Sequence, residues 1–360
     1  MERFIQKISI EGFKSIRSLR DFPLNRGLNV LIGANGAGKS NFLEFFKLME
    51  MTALNGLNEY VAKMGGAESF LFQGAAATER IEIKLNISGQ SCDSYKFTLN
   101  RTVKDSFVES SAITFTPNQR IPDSDDPWAA KDSADAFLHE AVKNWRVYHF
   151  QNTTAFSTLR KSSSVHDSDI YYSDGSNIGA FLWGLKQRQP KFYDRIETAV
   201  KQILPFFSHF DLNPVKDESQ PDNQHVWLYW RQKGSEYRYK PWQFSDGTLR
   251  FIALATALLQ PNPPAVIVID EPELGLHPQA LSFLAGLMHE AAFKSQLIMA
   301  TQSPDLLNTM EPEDIITVNT HRGESIFERL KRDNLAAWLE EYAIGDLWWK
   351  NVIQAGPNYV

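Results

Sequence analysis

The 360-residue sequence predicts an α/β protein with a mixed parallel core sheet, an antiparallel β layer and a mainly helical insertion. Three observations predict it. A strand near the N-terminus runs through a glycine-rich turn into an amphipathic helix. A group of short β-rich segments follows. Beyond Phe244 the pattern becomes helix, buried strand, helix, strand, and such alternation places strands parallel in one sheet.

The elements follow in order. Phe4–Ile10 alternates apolar and polar residues as a half-buried strand does. Gly27–Ile32 is a second strand. Ser40–Leu54 carries Phe42, Leu43, Phe45, Phe46 and Met49 at helical spacing, and Gly65-Gly66 breaks the chain after it. Ile81–Ile87, Tyr95–Arg101 and Ala112–Thr116 are β-rich and suit an antiparallel layer beside a parallel sheet. Residues 117–135 are rich in Pro and Asp and are assigned to loop. A helix is expected over Ala134–Asn144 and a strand over Arg146–Phe150. Lys161–Asn177, rich in Ser and Asp, is expected to be a mobile loop. Ile178–Phe207 is mainly helical and Val226–Tyr239 is a hairpin. The closing pattern is helix 247–260, strand 265–269, helix 278–294 and strand 296–300. Four segments result: 1–120 with the glycine-rich turn and the β layer, 121–235 as the insertion, 236–320 as the second α/β half, and 321–360 as a tail packing on the rest.

Composition removes several function classes. Apolar residues make up 43% and charged residues 22%, enough for a substantial core. A net charge of −6 argues against coating nucleic acid by bulk charge, although a local basic patch stays open. The single cysteine, Cys92, excludes an intramolecular disulfide framework and a Cys-cluster metal site. The apolar runs fall well short of the ~20 residues of a spanning helix, and Met1-Glu2-Arg3-Phe4 does not open a secretory signal. A cytoplasmic protein without membrane contact is expected.

Three motifs carry chemistry. Gly33-Ala-Asn-Gly-Ala-Gly-Lys-Ser40 fills every fixed position of the phosphate-binding loop, with a strand before it and a helix after. Its glycines let backbone N–H groups converge on phosphate oxygens, and the helix start presents its positive end to the same anion. Lys39 is expected on the β- and γ-phosphates and Ser40 on Mg²⁺. Ala265-Val-Ile-Val-Ile-Asp270-Glu271 is a strand buried on both faces that ends in two carboxylates, where α/β sheets place ligands. Asp270 would hold Mg²⁺ and Glu271 would polarise the attacking water. Phe244-Ser-Asp-Gly-Thr-Leu-Arg250 opens a helix that Ser245 or Asp246 can cap, and Gly247 leaves backbone donors accessible. Alone, this heptapeptide reads as an ordinary capped helix.

The succession GANGAGKSN, FSDGT, VIVIDEPELGLHP and MATQSPDLLN resembles the ATP-binding-cassette ATPases of the SMC/RecF type. It is most similar to the stand-alone AAA-type ATPases related to the overcoming-lysogenization-defect proteins of bacterial anti-phage defence. The resemblance covers about 1–120, 236–320 and the tail. It implies an ATPase head that binds ATP and Mg²⁺. Gly33, Asn35, Gly36, Gly38, Lys39, Ser40 and Asn41 fall on its Walker A loop. Ser245, Asp246 and Gly247 fall on the signature motif, which in the family meets the γ-phosphate held by the opposite subunit. Asp270 and Glu271 fall on Walker B, with Glu271 as general base, and Gly275, Leu276 and His277 fall near the D-loop. Gln151 is a candidate Q-loop residue touching Mg²⁺, with a polar strand end as the equal alternative. His277 receives no chemical role, and the pair Trp348-Trp349 is expected to pack onto the core, with partner docking as the lesser alternative.

One position departs from the family. Gln302 stands where the switch histidine is expected; glutamine donates a hydrogen bond but carries no charge and shuttles no proton. Slow hydrolysis is one reading, and a conservative exchange with little kinetic effect is the other. No heptad array separates the two halves, which excludes a long SMC-type coiled coil. Only about 40 residues follow 320, too few for the nuclease domain of the OLD proteins. The resemblance therefore implies an ATP-driven switch, a homodimer or higher oligomer through its ATP sites, that gates a separate effector protein. A RecF-like DNA-binding repair ATPase, using Lys161, Lys186, Arg188 and Lys191, is the competing reading. A transporter subunit is disfavoured by the β layer.

Overall fold

A computed structural model describes residues 4–88, 94–114, 141–154, 156–216 and 224–353. In chain order its elements are β1 (Ile5–Phe13), β2 (Ile16–Pro23), β3 (Leu28–Ile32), α1 (Lys39–Ala53), α2 (Leu57–Lys63), β4 (Arg80–Ile87), β5 (Ser94–Arg101), β6 (Phe107–Thr114) and β7 (Trp145–Tyr148). There follow β8 (Ser163–Ser164), α3 (Ile178–Arg188), α4 (Pro190–Ile203), β9 (Phe207–Asp211), β10 (Val215–Lys216), β11 (Gln224–Val226), β12 (Tyr229–Gln232) and α5 (Asp246–Leu259). The chain continues with β13 (Val266–Asp270), α6 (Pro278–Ala292), β14 (Gln296–Ala300), α7 (Pro304–Leu307), β15 (Ile315–His321), β16 (Glu324–Arg329), α8 (Arg332–Leu339) and α9 (Ile344–Trp349). They divide into two compact units: residues 1–147, 264–270 and 292–360, and residues 148–263 and 271–291.

The first unit holds two sheets. The larger has the strand order β16-β15-β3-β14-β13-β7. β13, β14, β3 and β15 run parallel, and β16 returns antiparallel to β15. β3 and β14 are buried at every position, as strands covered on both faces are. The second sheet is antiparallel, in the order β2-β1-β4-β5-β6, and supplies the expected β layer. Its strand β4 alternates, with Ile81, Ile83, Leu85 and Ile87 buried. α1 buries Phe42, Phe45, Phe46 and Met49, the stripe its helical spacing predicts. These rings pack edge to face in one core, Phe45 on Phe46 at 5.3 Å and on Phe13 at 6.2 Å.

The second unit combines α3–α6 with small sheets, β10-β11-β8 and β12-β9. Its core is aromatic: Trp230 stacks on Phe244 at 4.6 Å and on Tyr239 at 4.5 Å.

The structure changes four readings. Trp349 is 80% exposed, so the pair Trp348-Trp349 does not pack onto the core as a unit. Lys161–Asn177 is packed, not loose: Tyr171 is 1% exposed, and the buried Asn177 amide donates to the carbonyls of Asp167 and Ile170, both at 2.7 Å. The hairpin over Val226–Tyr239 is pinched to one bridge, Trp230 with Tyr239, because β12 takes its ladder from β9. β2, β15 and β16 lie where no strand was assigned. The loop 117–135 and Cys92 lie outside the described residues, as does most of the helix expected over 134–144.

Candidate functional site

The parallel register builds the first part of the site. Asp270 on β13 pairs with Ala300 on β14, and Ala300 pairs with Leu31 on β3, so the three strands end in one row. The glycine-rich turn begins two residues past Leu31, and Gln302 lies two residues past Ala300. Thr301, fully buried, fixes this edge: its N–H donates to the Leu31 carbonyl at 3.0 Å and its hydroxyl accepts from Ser303 N at 3.0 Å. Ser303 in turn caps α7 through Leu306 N at 3.2 Å. The phosphate loop, Asp270 and Gln302 thus share the carboxyl edge of one sheet, where such sheets bind ligands.

The loop geometry suits an anion. Gly36 and Gly38 have φ of 80° and 110°, values that side-chain-bearing residues avoid. Gly38 is the N-cap of α1, so the free N–H groups of its first turn point where a phosphate would lie. A Cβ on Gly33 would lie 2.2 Å from the Val318 carbonyl oxygen of β15, and one on Gly38 would lie 2.0 Å from Ser325 Oγ of β16. Lys39 is 6% exposed, and its ammonium donates to the carbonyls of Gly33 at 2.7 Å and Ala34 at 3.0 Å, arching over the turn. Ser40 is exposed beside it. A phosphate cradle of backbone donors, an ammonium, a hydroxyl and a strand-end carboxylate make a donor set that fits a nucleotide phosphate with Mg²⁺.

Two serines brace this loop. Ser325 Oγ donates to the Ala37 carbonyl at 2.6 Å and lies 2.7 Å from Ser15 Oγ, which also accepts from the Asn41 amide at 2.7 Å. Asn41 is therefore turned to the β1–β2 connection and supports the turn. Ser325 is 4% exposed.

The second unit positions the remaining candidates around two arginines. Ser245 is the N-cap of α5, accepting from Thr248 N at 3.1 Å, and Asp246 and Gly247 form its first turn. A Cβ on Gly247 would lie 2.1 Å from the Gly275 carbonyl oxygen, so this helix start and the loop after β13 touch backbone to backbone. Arg250, 5% exposed, donates to the carbonyls of Phe150 at 3.0 Å, Gln151 at 2.8 Å and Leu274. It ties the chain at Gln151, α5 and the Gly275 loop together. Burial lowers its pKa, against the raising influence of Asp246, Glu271 and Glu273. Arg160, 7% exposed, donates to the carbonyls of Thr153 at 2.9 Å, Pro241 at 2.8 Å and Phe244 at 3.3 Å. Its last donor meets the Asp246 carboxylate at 2.7 Å.

Glu271, next to Asp270 in the chain, has φ of 47°. Left-handed backbone at a residue other than glycine costs free energy and clusters at functional positions. The turn is closed by Leu274 N on the Glu271 carbonyl at 3.2 Å. His277 accepts from Gln279 N at 3.4 Å, which makes it a helix-start residue.

Sequence reasoning missed Ser15, Ser325 and Arg160 because their partners are remote in the chain, 310 residues apart for the serine pair. Arg250 had a signal: a lone cation between Leu249 and Phe251 in an otherwise apolar helix. Among the described residues, no cluster of three or more His, Cys, Asp or Glu side chains could hold a metal, and no helix is long and apolar enough to cross a membrane.

Known proteins share this fold and parts of this sequence. The chain is 21% identical to the Septu protein PtuA of Bacillus thuringiensis over 340 residues, covering 90% of this chain and 78% of the relative. It is 22% identical to the DNA replication and repair protein RecF of Prosthecochloris aestuarii over 221 residues, covering 57% and 56%. The fold matches a crystal structure of an SMC head bound to the C-winged helix domain of ScpA, with a TM-score of 0.61 at 16% identity over 93% of this chain and 99% of that one. Residues 28–308 match the family described as "AAA domain, putative AbiEii toxin, Type IV TA system". The chain belongs to that family, and it is an ATPase of the SMC/RecF type.

Proposed function

We propose that the protein is an ATP-hydrolysing switch that dimerises around ATP and gates a separate effector in bacterial anti-phage defence. The single observation that carries the chemistry is the shared edge of Leu31, Ala300 and Asp270 beneath the phosphate loop. The similarity to PtuA supports the biology.

In this reading Gly33, Asn35, Gly36, Gly38, Lys39 and Ser40 bind the triphosphate of the substrate, with Asn41 supporting the turn. Ser40 and Asp270 would hold Mg²⁺, which would supply charge neutralisation on the phosphates, and Gln151 is the further candidate ligand. Glu271, with its left-handed backbone, would orient and deprotonate the attacking water. Gln302 donates a hydrogen bond to the terminal phosphate without carrying charge, which favours slow turnover. Ser245, Asp246 and Gly247 meet the phosphate bound by the partner subunit, so hydrolysis requires the dimer. The halves 1–120 and 236–320 then form one cassette split by the insertion 121–235, with 321–360 as its tail, and the protein works in the cytoplasm.

Steady-state ATP hydrolysis by Glu271→Gln, with native mass measured in ATP, tests this. The expected result is loss of turnover by a factor of ~10² or more and accumulation of an ATP-bound dimer. Unchanged hydrolysis rejects the assignment of Glu271. Affinity purification from native expression, read by mass spectrometry, tests the effector, and recovery of the chain alone rejects gating. A DNA-binding repair ATPase is the second reading, favoured by the match to RecF, and ATP-dependent duplex affinity is its signature.

A further inference from the structure

The second unit carries a surface that the ATP chemistry does not use. From 227 into β12 burial alternates: Leu228 and Trp230 are 0% and 3% exposed, while Trp227, Tyr229 and Arg231 are half-buried. Trp227 lies 6.0 Å from Tyr229 at an interplanar angle of 27°, and 5.8 Å from Trp242, edge to face. Trp242 is 49% exposed. Cations are interleaved with these rings. The Arg238 guanidinium sits 4.0 Å from the Tyr229 centroid and the Lys240 ammonium 5.4 Å from that of Trp242.

The strip continues at Arg231 into a cleft of 320 Å³ lined by Trp183, Lys186, His209 and Asn213 among others. Buried Asp211 lies between Arg231 and Arg238, 3.0 and 3.1 Å away, one carboxylate for two guanidiniums. Over 227–242 the chain carries Arg231, Lys233, Arg238 and Lys240 against Glu236 alone. The patch is thus locally basic on a chain of net charge −6.

We infer that this strip and cleft bind single-stranded nucleic acid. The ligand must offer regularly spaced negative charge and flat faces that stack on half-exposed rings. An acidic peptide offers the charge without the faces. A duplex offers phosphates but keeps its base faces inside the stack. A single strand offers both, and aromatic platforms beside a basic groove are the general solution for it. The strip runs from the end of the insertion into the first residues after it and uses no residue assigned to ATP, so it goes beyond the switch reading and is tested without nucleotide.

Fluorescence anisotropy with the full chain reads it, using end-labelled oligo-dT and oligo-U of about 20 nucleotides and a duplex of equal length. At least one single strand is expected to bind better than the duplex, and which one identifies DNA or RNA as the source. Affinity should fall steeply between about 50 and 200 mM salt. Trp242→Ala should weaken binding about tenfold, and Lys240→Glu should reduce the salt slope by about one. Thermal melting verifies folding. Lys240 is exposed, so its variant serves if Trp242→Ala unfolds. Absence of binding to both single strands, equal or tighter binding of the duplex, or wild-type affinity in folded variants overturns the proposal.

Discussion

Substituting Gly247 with alanine pushes the signature turn off the Gly275 loop. The added Cβ would sit 2.1 Å from the Gly275 carbonyl oxygen and 3.1 Å from its carbon. Relief requires the two backbones to part by about 1 Å, since interiors are close-packed and do not absorb an extra methyl. Neither backbone moves freely. Ser245 caps the helix, and Arg250 holds the Leu274 carbonyl, next to Gly275, to that same helix. Overpacking of this kind costs about 1–3 kcal/mol of stability. A displacement of ~1 Å in a catalytic constellation costs about 10²-fold in rate, equivalent to ~2.7 kcal/mol of barrier. Gly247→Ala should therefore retain ATP binding, measured with a fluorescent analogue, because Walker A belongs to the other unit. Its kcat should fall about a hundredfold. Hydrolysis within about twofold of wild type would refute both the signature assignment and the rigidity of the Gly247–Gly275 contact.

Substitutions at three further positions test the site and its supports. Ser325→Ala removes the donor to the Ala37 carbonyl and the link to Ser15; leaving a buried carbonyl unpaired costs about 1–2 kcal/mol, read as ATP binding about tenfold weaker by calorimetry. Arg160→Ala should lower stability by about 2–3 kcal/mol in urea unfolding, and Arg160→Lys should fail to restore it, because an ammonium cannot reach Thr153, Pro241, Phe244 and Asp246 from one fork. Gln302→His should raise kcat on the order of tenfold, with a new dependence on pH near 6.5, if the uncharged side chain limits turnover; an unchanged kcat assigns Gln302 as a neutral exchange.

The parts of the site legible in the sequence are those whose chemistry is local. The phosphate loop needs glycines at fixed offsets before one lysine, and Walker B needs an apolar run before Asp270 and Glu271. Both physical requirements lie within ten residues, so composition and order reveal them. The helix of Phe42, Phe45 and Phe46 is legible for the same reason. β2 is not, because Ile16–Pro23 buries only Ile16, Leu19 and Phe22 among charged neighbours, and its pairing with β1 supplies what its own pattern lacks. Lys161–Asn177 misled because its polar residues look solvated, whereas Asn177 and Ser168 spend their hydrogen bonds inside the unit.

What remained hidden is the means by which distant segments are held to the site, and it has one physical form. Ser325, Arg160 and Arg250 all donate to backbone carbonyls, and a carbonyl belongs to every residue. A side chain that recognises a carbonyl leaves no constraint on its partner's identity, so no motif records the contact. The same feature makes these residues sensitive probes. A substitution at Phe150, Leu274 or Pro241 keeps the carbonyl and should be tolerated as far as packing allows, whereas loss of the arginine leaves several carbonyls without a donor at once. The chemistry of the turns is thus written locally, while their alignment depends on a few donors reaching across the fold.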